Sequence, residues 1–134
     1  MLLRSLVSSA AAHDIPTDVT LQAFLKPEGR RLNLLVRTPM PAIRDVAFPE
    51  RGAGYLDLTR AEPLLADAAL QWIGDFVELY ANDAPLTKKP RVVEARISLG
   101  SDRSFDSYEQ ATAHITGPKL AGDVNVPGAQ TMLD

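Results

Sequence analysis

The chain predicts an α+β fold: an antiparallel β-sheet or β-sandwich-like core, one long amphipathic helix at about 60–80 and a short helix at about 105–115. Three observations carry this. Apolar residues alternate with period 2 over 17–25 and again over 32–37, with a turn between them. They then recur at helical spacing from 60 to 80. A third alternating run, 90–99, leads into a second, shorter helical pattern. A change of period from 2 to 3.6 marks strands followed by helices. Helices packed on an antiparallel sheet define the α+β class.

In the first run Val19, Leu21, Ala23 and Leu25 share one side, with Thr20, Gln22 and Phe24 opposite. Lys26-Pro27-Glu28-Gly29 reads as a turn, with Pro presetting φ and Gly free to take positive φ. Leu32, Leu34 and Val36 then alternate with Asn33, Leu35 and Arg37, completing an antiparallel hairpin. Pro39 and Pro41 end the second strand, because neither can donate to a ladder. Ala42 to Gly54 is irregular, and Tyr55–Leu58 fits either a short strand or a packed connector.

Thr59-x-x-Glu62 has the form of a capping box, with Pro63 in the first turn. Leu65, Ala69, Trp72, Ile73, Phe76 and Tyr80 follow on one helical face. Burial of Trp72, Ile73 and Phe76 would each contribute about 2 kcal/mol. Asn82-Asp83-Ala84-Pro85 ends the pattern. From Pro90 to Leu99, Val93, Ala95, Ile97 and Leu99 face the core, with Val92, Glu94, Arg96 and Ser98 opposite. Phe105–Ile115 forms the short helix, with Ser104 or Asp106 as N-cap and Gly117 as its stop. Gln130–Asp134 reads as the start of a further strand.

Composition narrows function mainly by exclusion. The chain has 134 residues, with 46% hydrophobic and 23% charged, the balance of a folded domain. A net charge of −3 with dispersed basic residues argues against a nucleic-acid face. Gly29-Arg30-Arg31 and Lys88-Lys89 read as solvated turns. The absence of cysteine excludes disulfides, thiolate metal sites and a cysteine nucleophile. No run approaches the ~18–20 apolar residues of a membrane span.

Residues 1–12, MLLRSLVSSAAA, resemble the tail of a truncated signal peptide, with Ala10-x-Ala12 fitting small-x-small cleavage. A frayed amphipathic helix is the other reading of that segment. Residues 13–134 then form a single extracytoplasmic domain. His13 is the one metal-ligand candidate, and only after processing. Cleavage after Ala12 leaves an amine and an imidazole on His13 itself. Cleavage after Ala10 leaves Ala11-Ala12-His13, whose amine, two amides and imidazole can wrap Ni(II) or Cu(II) in a square plane. Without cleavage, His13 is an ordinary histidine.

No catalytic set converges, so the chain reads as non-enzymatic. His114 fits a helix-terminal or half-buried polar role, and Asp102 with Arg103 fits a turn-stabilising pair. Ser101 and Ser104 lack the nucleophile-elbow context. Asp67, Asp75 and Glu78 read as a solvated helix surface. Gly52-Ala53-Gly54 lacks the helix of a nucleotide-binding loop, and no cofactor is expected.

Several phrases occur in a telling order: His13-Asp14-Ile15-Pro16, Gly54-Tyr55-Leu56-Asp57-Leu58, Ser98-Leu99-Gly100-Ser101-Asp102-Arg103-Ser104-Phe105, Tyr108, and Ala113-His114-Ile115-Thr116-Gly117-Pro118. Together they resemble the extracytoplasmic N-terminal region of HupE/UreJ-like membrane proteins, over nearly the whole chain from Ala12. Gly100 departs from the pattern, standing where the family phrase has proline. The resemblance implies a periplasmic or extracytoplasmic accessory domain. It also implies a membrane-spanning part of the same protein as tether and partner, and a link to nickel or cobalt transport. The metal motif of such proteins lies in their membrane helices, so none of its residues carries over to a position here. The competing reading is a free-standing secreted or periplasmic β-sandwich-like binding domain.

Overall fold

The computed structural model describes residues 18–134, so residues 1–12 and His13 lie outside the described part. Its centre is a four-stranded antiparallel sheet in the order β1-β2-β6-β5. The strands are β1 (Gln22–Glu28), β2 (Arg31–Pro39), β5 (Ile97–Leu99) and β6 (Thr131–Leu133). Short strands β3 (Tyr80–Ala81) and β4 (Ala84–Pro85) form a separate two-stranded ribbon. The architecture is α+β, and among the described residues the core rests on one sheet rather than on two facing sheets.

The β1–β2 hairpin turns at Gly29-Arg30, not at Pro27, and pairs Gln22↔Arg37 through Glu28↔Arg31. Gly29 takes a φ of 59°, the conformation that a tight turn requires. Pro27 lies inside β1, opposite Leu32. That position is tolerable because β1 is an edge strand, where a missing N–H on the outer side costs no ladder bond.

The expected helix over 60–80 is shorter, starts earlier and changes pitch. It comprises α1 (Leu58–Ala61), a 3₁₀ turn (Glu62–Leu64), α2 (Leu65–Ala69) and a π turn (Leu70–Gly74). Asp57, rather than Thr59, is the N-cap, its carboxylate accepting from the Arg60 N–H at 3.1 Å. Glu62 accepts from Lys119 at 2.5 Å instead of closing a capping box. The π turn widens the helix at its end, where the Asp75 N–H donates to the Leu70 carbonyl at 2.8 Å. A Cβ on Gly74 would stand 2.9 Å from a Leu70 methyl, a contact that a small shift of the leucine side chain relieves.

Leu58, Ala61, Leu65 and Ala68 are the buried apolar side chains of this segment, and Ala69 and Trp72 pack partly against the same core. Phe76 and Tyr80 are 78% and 60% exposed, which corrects their assignment to the inward face. The chain has already left the helix at both. Asn82 and Asp83 both take positive φ, 51° and 62°, and turn β3 into β4. They are the two central residues of a hairpin turn rather than a simple helix stop.

The third predicted strand is also shorter. Only Ile97–Leu99 pairs as a strand, extended by reciprocal backbone bonds between Arg96 and Asp134 at 2.9 Å. Val93 is 83% exposed and Leu99 39%, whereas Arg96 and Ser98, expected on the outer side, are buried. The reason is that both sides of β5 are covered. Met40, Leu65, Ile97, Val126 and Leu133 belong to the main core on one side. On the other lies α3 (Tyr108–Thr116), whose N-cap is Ser107, accepting from the Gln110 N–H at 3.2 Å. Phe105, Ala111 and Ile115 form a second, smaller core there, joined by Phe24 and Leu35 from the hairpin.

Candidate functional site

Among the described residues, register assembles a concentrated group of polar side chains in the interior. Thr38, Leu133 and Ile97 are paired across β2, β6 and β5. Their neighbours Arg37, Asp134 and Arg96 therefore sit side by side on the opposite face. Ser98 lies on that face too, under the last turn of α3, which supplies His114. The loop after β5 adds Asp102 and Ser104.

Arg37 is the hub. Its Nε and Nη2 donate to the two carboxylate oxygens of Asp134 at 2.7 and 2.6 Å, a bidentate pair. Nη1 donates to the Asp102 carbonyl at 2.8 Å, and Nη2 reaches the Asp102 carboxylate at 3.0 Å and the Ser104 hydroxyl at 3.1 Å. The guanidinium also lies 4.4 Å from the centre of the Phe105 ring, in cation–π contact. Only 2% of Arg37 is exposed. Burial by itself lowers its pKa, but the bonds and charge of Asp134, then of Asp102, outweigh that and raise it.

Asp102 is held by its own loop. Its carboxylate accepts from the Ser104 N–H at 2.8 Å and from the Ser104 hydroxyl. Burial pushes its pKa up, but the Ser104 bonds, then Arg37, then the charge of His114 bring it down to about 2. The Asp102 carboxylate thus ties down a backbone N–H of its own loop beside the buried Phe105. The expected pairing with Arg103 does not form: Arg103 pairs with Asp106 at 3.0 Å, and Asp102 turns inward to Arg37. A buried cation with spare donors attracts the carboxylate more than an exposed one does.

Ser98, His114 and the aspartates come together in a way that no local sequence signal announces. The Ser98 Oγ is 2.7 Å from His114 Nε2 and donates to Asp134 Oδ2 at 2.5 Å. His114 Nδ1 is 3.6 Å from Asp102 Oδ2, and its Nε2 is 3.3 Å from Asp134 Oδ2. The composition resembles a hydrolytic triad, but the proton order opposes one. With the hydroxyl hydrogen committed to Asp134, Nε2 is the donor toward Ser98 rather than its base. Ser98 is also only 1% exposed, closed off from an acyl group. The histidine thus takes the half-buried polar role expected of it.

Arg96 completes the layer. Its guanidinium donates to the carbonyls of His114, Gly117 at 3.4 Å and Pro118 at 2.7 Å, neutralising the C-terminal end of α3. Its Nε has no partner among the described residues. Gly100 donates its N–H to the Gln130 carbonyl at 2.8 Å and so extends the β5–β6 ladder. A proline there would lose that bond.

An open concavity of about 320 Å³ adjoins the cluster, walled by Gln22, Ser101, Asp102, Arg103 and Asp106. Among the described residues no group of three or more His, Cys, Asp or Glu side chains is placed to hold a metal ion. No helix among them is long and apolar enough to cross a membrane. No family model, curated protein or solved structure matches this chain.

Proposed function

We propose that the chain is the non-enzymatic extracytoplasmic accessory domain of a HupE/UreJ-like membrane protein. It is tethered by that protein's membrane part and serves nickel or cobalt transport through it. One observation supports this reading above others. Within Ser98–Pro118, the side chains of Ser98, Asp102, Ser104 and His114 and the carbonyls of His114 and Pro118 are spent on one another and on Arg37, Arg96 and Asp134. Such a phrase specifies how α3 docks on the sheet. It accounts for a distinctive motif without any substrate-facing nucleophile.

The test is fractionation of cells expressing the complete, epitope-tagged gene product. The domain should sediment with membranes, and protease added to the outer face of that membrane should remove it. A product recovered entirely in the soluble fraction overturns the reading. The metal link has its own check. A chain beginning at Ala11 should bind Ni(II) or Cu(II) in titration calorimetry, and His13→Ala should abolish binding. Equal binding by the chain beginning at Met1 would exclude the processed terminus as the site.

A further inference from the structure

Among the described residues the inner side of β2 is largely unpaired. β1 pairs with β2 along all of Arg31–Arg37, but β6 pairs only with Thr38 and Pro39. Among the described residues no strand pairs with the other side of β2 over 31–37. Backbone groups in an antiparallel ladder point alternately to either neighbour. Thr38 bonds toward β6, so Leu32, Leu34 and Val36 direct their N–H and C=O groups to that same side. Among the described residues this leaves an open lane inside the sheet, and β6 points into it: Asp134 already exchanges backbone bonds with Arg96 and holds Arg37 by its side chain.

We propose that this lane is a docking slot for a β-strand, that the strand directly continues β6, and that it runs antiparallel to β2. The inference rests on the proposed function in taking the complete gene product to extend past Asp134. Continuity selects this occupant, because register is set before the strand arrives. Thr38 faces Leu133, so Val36, Leu34 and Leu32 face the first, third and fifth residues after Asp134. Those residues lie on the same face as Leu25 and Leu32, which are 52% and 39% exposed, and must be apolar. The outer edge of β1 is a poorer acceptor of a strand, since Pro27 there offers no N–H and Lys26 carries charge.

The test compares amide hydrogen exchange in the complete gene product and in the Met1–Asp134 chain. The amides of Leu32, Leu34 and Val36 should exchange at least about tenfold more slowly in the longer chain. Its sequence should place apolar residues first, third and fifth after Asp134. Equal exchange in the two chains, polar residues at those positions, or a frame that stops at Asp134 each overturns the proposal. Protection that scales with protein concentration would identify a second copy as occupant instead. Protection lost on removing residues 1–12 would identify the N-terminal segment. Either result also overturns it. A longer chain that shows the protection but stays soluble would sink the membrane reading and leave the slot standing.

Discussion

β2 carries Asn33, Leu35 and Arg37 on one face and Leu32, Leu34 and Val36 on the other. By composition the second face belongs in a core. The structure covers the first more fully: Arg37 is 2% exposed, whereas Leu32 and, on the same face of β1, Leu25 are 39% and 52% exposed. The helical segment over 58–74 packs on the Met40, Ile97 and Leu133 end of the sheet. α3 and its preceding loop pack instead on the polar face of the hairpin, through Phe105, Phe24 and Leu35. Which face is buried thus depends on where a covering element finds partners. A buried arginine holding two carboxylates can dock a helix as firmly as leucines do, provided every charge is matched.

The contrast is broken most directly at Arg37. Arg37→Met strands Asp134 and Asp102 and should cost about 3–5 kcal/mol in chemical denaturation, toward the upper end of that range. Adding Asp134→Leu should recover part of the loss, because the variant then buries one fewer unpaired charge. A cost below about 1 kcal/mol would mean that the polar layer does not hold the two elements together.

Phe105→Ala should destabilise by about 3–4 kcal/mol, since the ring fills the small core and faces the guanidinium. Phe76→Ala, at the exposed end of the helical segment, should change stability by no more than about 0.5 kcal/mol. Similar values for the two aromatics would erase the difference between the α3 side and the helix end.

Electrostatics sharpen the comparison through pH. Asp102 titrates near 2 in the folded protein, below its ordinary value of 3.8. Its ionised form therefore adds stability that is present above 3.8 and is lost as pH falls through about 2. Relative to Asp102→Asn, the native chain should be more stable by about 2 kcal/mol at pH 5, with the gap closing toward pH 2. Urea midpoints across that range measure it, and a gap independent of pH would show that the Asp102 charge contributes nothing.

Local pattern made part of this arrangement readable. Alternation located the hairpin, because it depends on residues a few positions apart. The polar layer was not readable, since Arg37 and Asp134 are brought together by β6 inserting between β2 and β5. In sequence Arg37 is one more polar residue at an alternating position. Ser98 sits on a side that alternation assigns to solvent, and Arg96 on that same side also bonds inward. The helix end was misplaced because Phe76 and Tyr80 continue the apolar period after the backbone has left the helix. The signal that was present, Asn82-Asp83 as a two-residue hairpin turn, was read only as a stop.

The smallest expected effect tests the other half of the comparison. Leu25 is apolar and central in β1, and a pattern-based reading would make its replacement costly. In the structure it faces Leu34 across the hairpin, on the side that α3 does not cover, and is 52% exposed. Leu25→Thr introduces a β-branched residue suited to a strand and removes only half-solvated apolar surface. Its stability should lie within about 0.5 kcal/mol of the parent chain in urea. Phe24→Ala, one residue away on the covered face, should cost several times more, because Phe24 lies 6.1 Å from the Phe105 ring and meets Tyr108 edge-on at 6.2 Å. Were Leu25→Thr to cost as much as Phe24→Ala, the leucine face would already be covered in this chain. The docking slot and the contrast between the two faces would then fail together.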